Sequence, residues 1–283
     1  MSLPRVLIAL AIPCHLAACQ PAQRTEADHS SPADAREKDD PVLPIADPAL
    51  DRRALLLAVA EAASAAALGE DDREVQRGLD GKRFTLRLRF GCGGSAASRS
   101  TEPRRWTFDE RSRVQRFHVA PDVDLATPLV KSIAPAGFEA AEGFRVHRPW
   151  LLRASCPALS PPKVPGSPPA SPPAAEAQGI EPAQPEPRIA IAQFYTAADP
   201  RTHRRDRRAY EATRTMAADE APSALGYDLV LSGRLRALPG GRVIACVPAA
   251  AEAPPSCIVS AAFDQVAIEA PDSKEIVAQW AMG

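Results

Sequence analysis

The side chains of this chain that could do chemistry are its histidines, a loop serine, a few well-separated cysteines and several arginines in strand-like runs. His118 and His147 both sit in strand-like runs, where either could act as the general base of a hydrolase if an acidic partner lay within hydrogen-bond reach. His29 lies in a polar stretch and His203 in a basic cluster. No Gly-x-Ser-x-Gly elbow occurs, so Ser95, which follows Gly93-Gly94, reads as an ordinary loop serine. No His-Glu-x-x-His, no Cys-x-x-Cys and no close His/Asp/Glu group is present, so no metal is expected. Gly91-Cys92-Gly93-Gly94 and Gly240-Gly241 match neither a Walker A loop nor a dinucleotide fingerprint. They read as turns, and no cofactor is expected. A glycosidase-type carboxylate pair can be far apart in sequence, so spacing says nothing about one.

The arginines offer anion binding. Arg87 and Arg89 project from one side of an alternating run, and Arg105, Arg116 and His118 from one side of a following hairpin. If those strands are neighbours they form a guanidinium-lined face suited to phosphate or carboxylate. The plainer reading is a solvated face in an arginine-biased chain. The basic residues are almost all arginine, with Lys only at Lys38, Lys82, Lys131, Lys163 and Lys274. The cluster Arg201 to Arg208 reads likewise as an exposed loop, with docking of an acidic partner as the sharper alternative.

The N-terminus is more specific. Arg5 and the free amine precede a compact apolar run, Val6 to Ile12, which ends at Leu16-Ala17-Ala18-Cys19. This is the layout of a secretory signal. The run is interrupted by Pro13 and His15 and falls short of the about 20 apolar residues of a spanning helix. Leu16 to Cys19 resembles the lipobox of bacterial lipoproteins. The resemblance covers only the first twenty residues, and the rest of the chain resembles no family. It implies cleavage before Cys19, a diacylglyceryl thioether on that sulfur and acylation of the new amine. Several acyl chains would anchor stably, each buried methylene contributing about 0.8 kcal/mol. Gln20, in the place where Asp favours the inner membrane in such proteins, implies an outer-membrane address facing the periplasm. Simple secretory cleavage after Ala18 is the competing reading.

An oxidising compartment gives the cysteines a role. With Cys14 removed and Cys19 acylated, Cys92, Cys156, Cys246 and Cys257 remain, an even number suited to two disulfides. Of the three possible pairings, the nearest-neighbour one is favoured: Cys92–Cys156 and Cys246–Cys257. The formal net charge of −1 over 283 residues directs no global field at nucleic acid.

The scaffold follows from local pattern. Residues 1–18 read as signal peptide and 19–46 as a polar, flexible tether spanning about 30 Å. Asp47-Pro48 suits a helix start, Ala49 to Leu68 a helix with Leu55, Val59, Ala62 and Ala66 on one face, and Gly69 its stop. Glu70 to Arg77 reads as a further short helix. Phe84 to Phe90 is the clearest strand; Arg104 to Phe108 and Arg113 to Val119 form a hairpin, and Phe144 to Leu152 another strand, broken at Pro149. Residues 157–187 are proline-dense and read as an insertion or spacer, with a PxxP-type ligand as a sharper alternative. Arg188 to Tyr195 resumes a strand and Tyr210 to Ala218 suggests a helix. A meander closes the chain: Tyr227 to Arg236, Arg242 to Val247, Cys257 to Ile268 and Glu275 to Ala281, the last burying Ile276 and Trp280.

The expected fold is thus α+β: an N-terminal Ala-rich helix followed by mainly antiparallel sheet. One domain, built from 47–156 and 188–283, is interrupted by the proline-rich insertion. The expected role is non-catalytic binding or assembly in the envelope, with an anionic glycan, glycolipid or envelope protein as partner. A periplasmic hydrolase using His118 or His147 is the alternative.

Overall fold

The computed structural model describes residues 48–97, 99–133, 137–157, 189–248 and 254–282. The signal, Cys19, the tether and residues 158–187 of the proline-rich segment lie outside these. The described chain is a mixed α+β structure: one long N-terminal helix, then mostly antiparallel sheet.

Helix α1 spans Arg52–Leu68. Its cap is Asp51, whose Oδ1 accepts from Ala54 N at 2.8 Å, and not Asp47 as the Asp-Pro pair suggests. The start is delayed because Leu50 is held in strand geometry, exchanging backbone bonds with Arg83 and Thr85. Gly69 ends the helix at φ 69°, a left-handed position that costs glycine little. Leu55, Leu56, Val59 and Ala62 are buried against the sheet. A five-residue helix, α2 (Arg73–Arg77), follows. Its Gln76 is buried and bonds both the N–H and the C=O of Ile244, standing in for a neighbouring strand.

Sheet formation centres on one long strand near the chain's end, β9 (Ser256–Glu269). Along one part of β9 lie β7 (Tyr227–Leu235), with β1 (Arg83–Phe90) beyond it, and β10 (Ile276–Ala281). Along the other part lie β8 (Ile244–Val247) and β5 (Ile189–Thr196), with β4 (Phe138–Arg145) beyond β5. The β5–β9 pair is parallel; the others are antiparallel. A register shift where Gly233 meets Phe263 bends the β7–β9 ladder. A Cβ at Gly233 would fall 2.0 Å from the Ala262 carbonyl oxygen, so the close approach requires glycine.

A second sheet of β2 (Arg104–Asp109), β3 (Val114–Val119) and β6 (Tyr210–Thr215) contributes to the same core. Trp106 and Phe117 meet Tyr227 edge-on at 5.6 and 4.8 Å, and Phe144 joins Tyr210 and Phe263. Period-two alternation places Phe84, Leu86, Leu88 and Phe90 here. A smaller cluster, with Ala190, Ala192 and Ile258, lies under α3 (Pro128–Ile133), so β5 is buried on both faces.

Four expectations are corrected. Tyr210–Thr215 is a strand: six alternating residues paired with β3 outweigh a weak helical preference. The expected strand 144–152 begins and ends earlier, as β4, because the chain turns at Arg148, whose φ is 49°. Ile276 is exposed, and Trp280 is only partly buried against Tyr210. Within the basic cluster Arg204 is buried, its guanidinium paired with Glu139 at 3.0 Å and lying over Tyr195.

Candidate functional site: a basic cleft beside the Cys92–Cys156 disulfide

Cys92–Cys156 and Cys246–Cys257 are bonded, which is the nearest-neighbour pairing. The second bond joins residues directly opposite each other on β8 and β9. The first ties the loop after β1 to the segment after β4. Disulfides of this kind fit an extracytoplasmic, oxidising compartment. Among the described residues no helix is long and apolar enough to cross a membrane.

Between the two segments joined by Cys92–Cys156 lies a cleft of about 530 Å³. Its floor depends on Gly91, at φ 67°, since a Cβ there would meet the Trp106 ring at 2.4 Å. Trp106 Nε1 donates to the Gly91 carbonyl at 3.3 Å, and the loop continues along the edge of β2 through Ala96 N to Trp106 O. The opposite wall, His147 to Pro157, is held from below by Arg52. That guanidinium donates to the carbonyls of Leu151, Arg87, His147 and Arg148 at 2.9 to 3.2 Å.

The structure divides the arginines expected to form one anion face. β1 and β2–β3 belong to different sheets. On β1, Arg87 is bound by Glu269, with Nη2 to Oε2 at 2.9 Å, and Arg89 by Asp228, with Nε to Oδ1 at 2.7 Å. The Arg89 and Asp228 side chains are 10% and 1% exposed, so this pair is internal structure rather than a solvated face. Arg105, Arg116 and His118 do share the outer face of the small sheet. Arg116 is exposed there, and His118 Nδ1 contacts Glu211 Oε1 at 3.0 Å. Arg89 and Arg105 both line the cleft, Arg105 donating to the Glu102 carbonyl at 2.7 Å.

Sequence reasoning passed over Arg148. It lines the cleft, and its Nη1 is buried with no hydrogen-bond partner among the described residues. A buried guanidinium N–H left unmade is costly, and a ligand oxygen would relieve it. Beside it, His147 is exposed at its edge, but desolvation by the surrounding chain, foremost, and then the charge of Arg104 lower its pKa to about 4, with Arg148 and Arg145 adding to the effect against Asp122. His147 is therefore neutral at pH 7, able to donate one hydrogen bond and accept another. The arrangement can grip an anionic group; no nucleophile is hydrogen-bonded to His147 among the described residues.

The chain matches no known protein family, no curated protein and no solved structure. Pro149 marks the break in the chain beside Arg148, but Arg148 itself gave no signal in the sequence because one more arginine is unremarkable in a chain so rich in them. Its backbone is left-handed and its Nη1 orphaned, and local pattern encodes neither.

Proposed function

We propose that this protein is a lipid-anchored component of a bacterial cell envelope, acylated at Cys19. It faces the periplasm from the outer membrane and binds an anionic envelope glycan or glycolipid without chemically altering it. The observation that carries the binding half is the buried, unpartnered Arg148 Nη1 in a cleft whose walls are joined by a disulfide. Arg105 lends a second guanidinium, and carboxylate or phosphate is the group that guanidinium pairs take best. The anchoring half rests on Leu16-Ala17-Ala18-Cys19 and on two disulfides suited to the same side of the membrane.

Arg148→Ser should weaken binding to purified anionic envelope glycolipid in vesicles at low salt by about tenfold or more. Unchanged binding removes the cleft from the proposal. Cys19→Ala should abolish incorporation of labelled fatty acid, and persistent labelling would place the acyl group elsewhere. A hydrolase reading has one observation in its favour, the His118–Glu211 contact. That pair lies on an outer sheet face, and Glu211 is 71% exposed, so it lacks the enclosed substrate site that proton transfer needs.

A further inference from the structure

A second cavity, of about 270 Å³, is lined by four carboxylate residues: Asp124, Glu139, Glu142 and Asp206. Two are already matched, Asp124 by Arg207 and Glu139 by Arg204. Glu142 is different. It sits on β4 opposite Gln193 and is only 6% exposed. Its Oε1 accepts from Asp206 N at 2.7 Å, while its Oε2 is buried with no hydrogen-bond partner among the described residues. The nearby guanidinium of Arg205 is turned away, donating to the carbonyls of Arg208 and Ala209 and lying over the Tyr210 ring at 4.1 Å. The cavity thus holds a carboxylate oxygen with no hydrogen-bond partner, beside a second carboxylate, Asp206, while the one cation in its lining, Arg207, is taken up by Asp124.

We propose that this cavity binds a primary ammonium group, held by Glu142 and Asp206. A buried carboxylate oxygen without a donor is destabilising, and an ammonium brings three N–H donors and the opposite charge. A metal ion fits less well: among the described residues no three His, Cys, Asp or Glu side chains are grouped so as to hold one. Burial, foremost, pushes the Glu142 carboxyl above its ordinary range, against the backbone N–H groups of Asp206 and Arg205. A bound cation would draw it back. Asp206 is itself held at φ 51° and Arg207 at φ 66°, so the backbone that offers its N–H to Glu142 is kept in a sparsely populated region. This site shares no lining residue with the anion cleft and does not depend on it.

The test uses full-length protein in detergent micelles at neutral pH and low salt. Cadaverine is titrated while the backbone amides of Glu142 and Asp206 are followed by NMR. Saturable shifts at both are expected, with a Kd of about 1 mM or tighter, and none with the diol of the same length. Glucosamine and lysine amide, titrated in parallel, separate an amino sugar from an amine on a flexible chain; saturation by either supports the site. Glu142→Gln keeps an acceptor for Asp206 N and should weaken cadaverine about tenfold or more. Asp206→Asn, at a backbone angle that asparagine tolerates, should weaken it as well and decides the matter if the Gln variant does not fold. Absence of saturation by about 10 mM, equal shifts with the diol, or full affinity in the Asp206→Asn variant would overturn the proposal. So would saturation by calcium with no response to amines.

Discussion

Replacing Arg52 with alanine should be among the most damaging single changes outside the hydrophobic core. Arg52 occupies the first turn of α1, where the helix dipole disfavours a cation. It is nonetheless 7% exposed and donates to four carbonyl oxygens drawn from two separate segments. A hydrogen bond from a charged donor nets about 1.5–3 kcal/mol, but the four do not add, because water can reach some of the freed carbonyls. An expected loss of about 3–5 kcal/mol matches what removal of one member of a buried charged network usually costs. That is a large share of the about 5–15 kcal/mol that holds a domain folded, and it would lower Tm by about 10 °C for a chain of this size. Arg52→Lys should recover less than half, since an ammonium is a point donor and cannot span four acceptors. The measurement is urea unfolding with both disulfides intact, together with hydrogen exchange of the amides of Arg148 and of Trp150 to Ala154, which should lose protection first. A variant within about 1 kcal/mol of the parent would refute the view that this guanidinium pins the cleft wall to the sheet.

Other consequences can be measured alongside. Arg89→Ala leaves Asp228 charged, buried and unpaired, so it should cost about 3–5 kcal/mol in denaturant unfolding, whereas Arg116→Ala, on an exposed face, should stay within about 0.5 kcal/mol. Reducing Cys92–Cys156, which closes a separation of 64 residues, should cost about 4 kcal/mol, and Cys246–Cys257, with a separation of 11, about 3 kcal/mol; paired serine variants at each bond would show whether that order holds. His147 stays neutral in the folded protein down to about 4, while the unfolded chain protonates it near its ordinary value of about 6.5. The unfolded state therefore binds more protons between these values, so this contribution is complete above about 6.5, is lost as pH falls and levels off below about 4. His147→Asn should flatten that part of the stability–pH profile, and an NMR titration midpoint near 6.5 for the ring would contradict the reasoning.

The parts of the fold that sequence made legible are those where a single pattern decides. Phe84, Leu86, Leu88 and Phe90 alternate without exception, and Gly69 follows an alanine-rich run, so β1 and the end of α1 lie close to where they were expected. Residues with competing preferences take the form their neighbours in space impose. The Ala-Ala-Glu-Gly core of β4 has little strand character, and becomes strand because β5 lies beside it and buries it. Tyr210–Thr215 owes its strand form to β3 in the same way. The arginines failed for a related reason. Alternation correctly put Arg87 and Arg89 on one side of β1, but only the register of β7 and β9 reveals that Asp228 and Glu269 wait there. The Arg89–Asp228 pair also overturns the plainer reading of these arginines as a solvated face. Arg148 and Glu142 show themselves by a missing partner, which no one-dimensional pattern contains.

The strand that seats β5, β7, β8 and β10 is encoded at residues 256–269 of 283. A ribosome must therefore synthesise most of the polypeptide before the framework has a keystone, and the β1–β7 and β4–β5 pairs have nothing to join them until it arrives. Such late closure lengthens the loops that folding must shut and slows compaction. If the chain is exported as proposed, such a delay would suit it, since a polypeptide that settles late is still loose when it is threaded across a membrane.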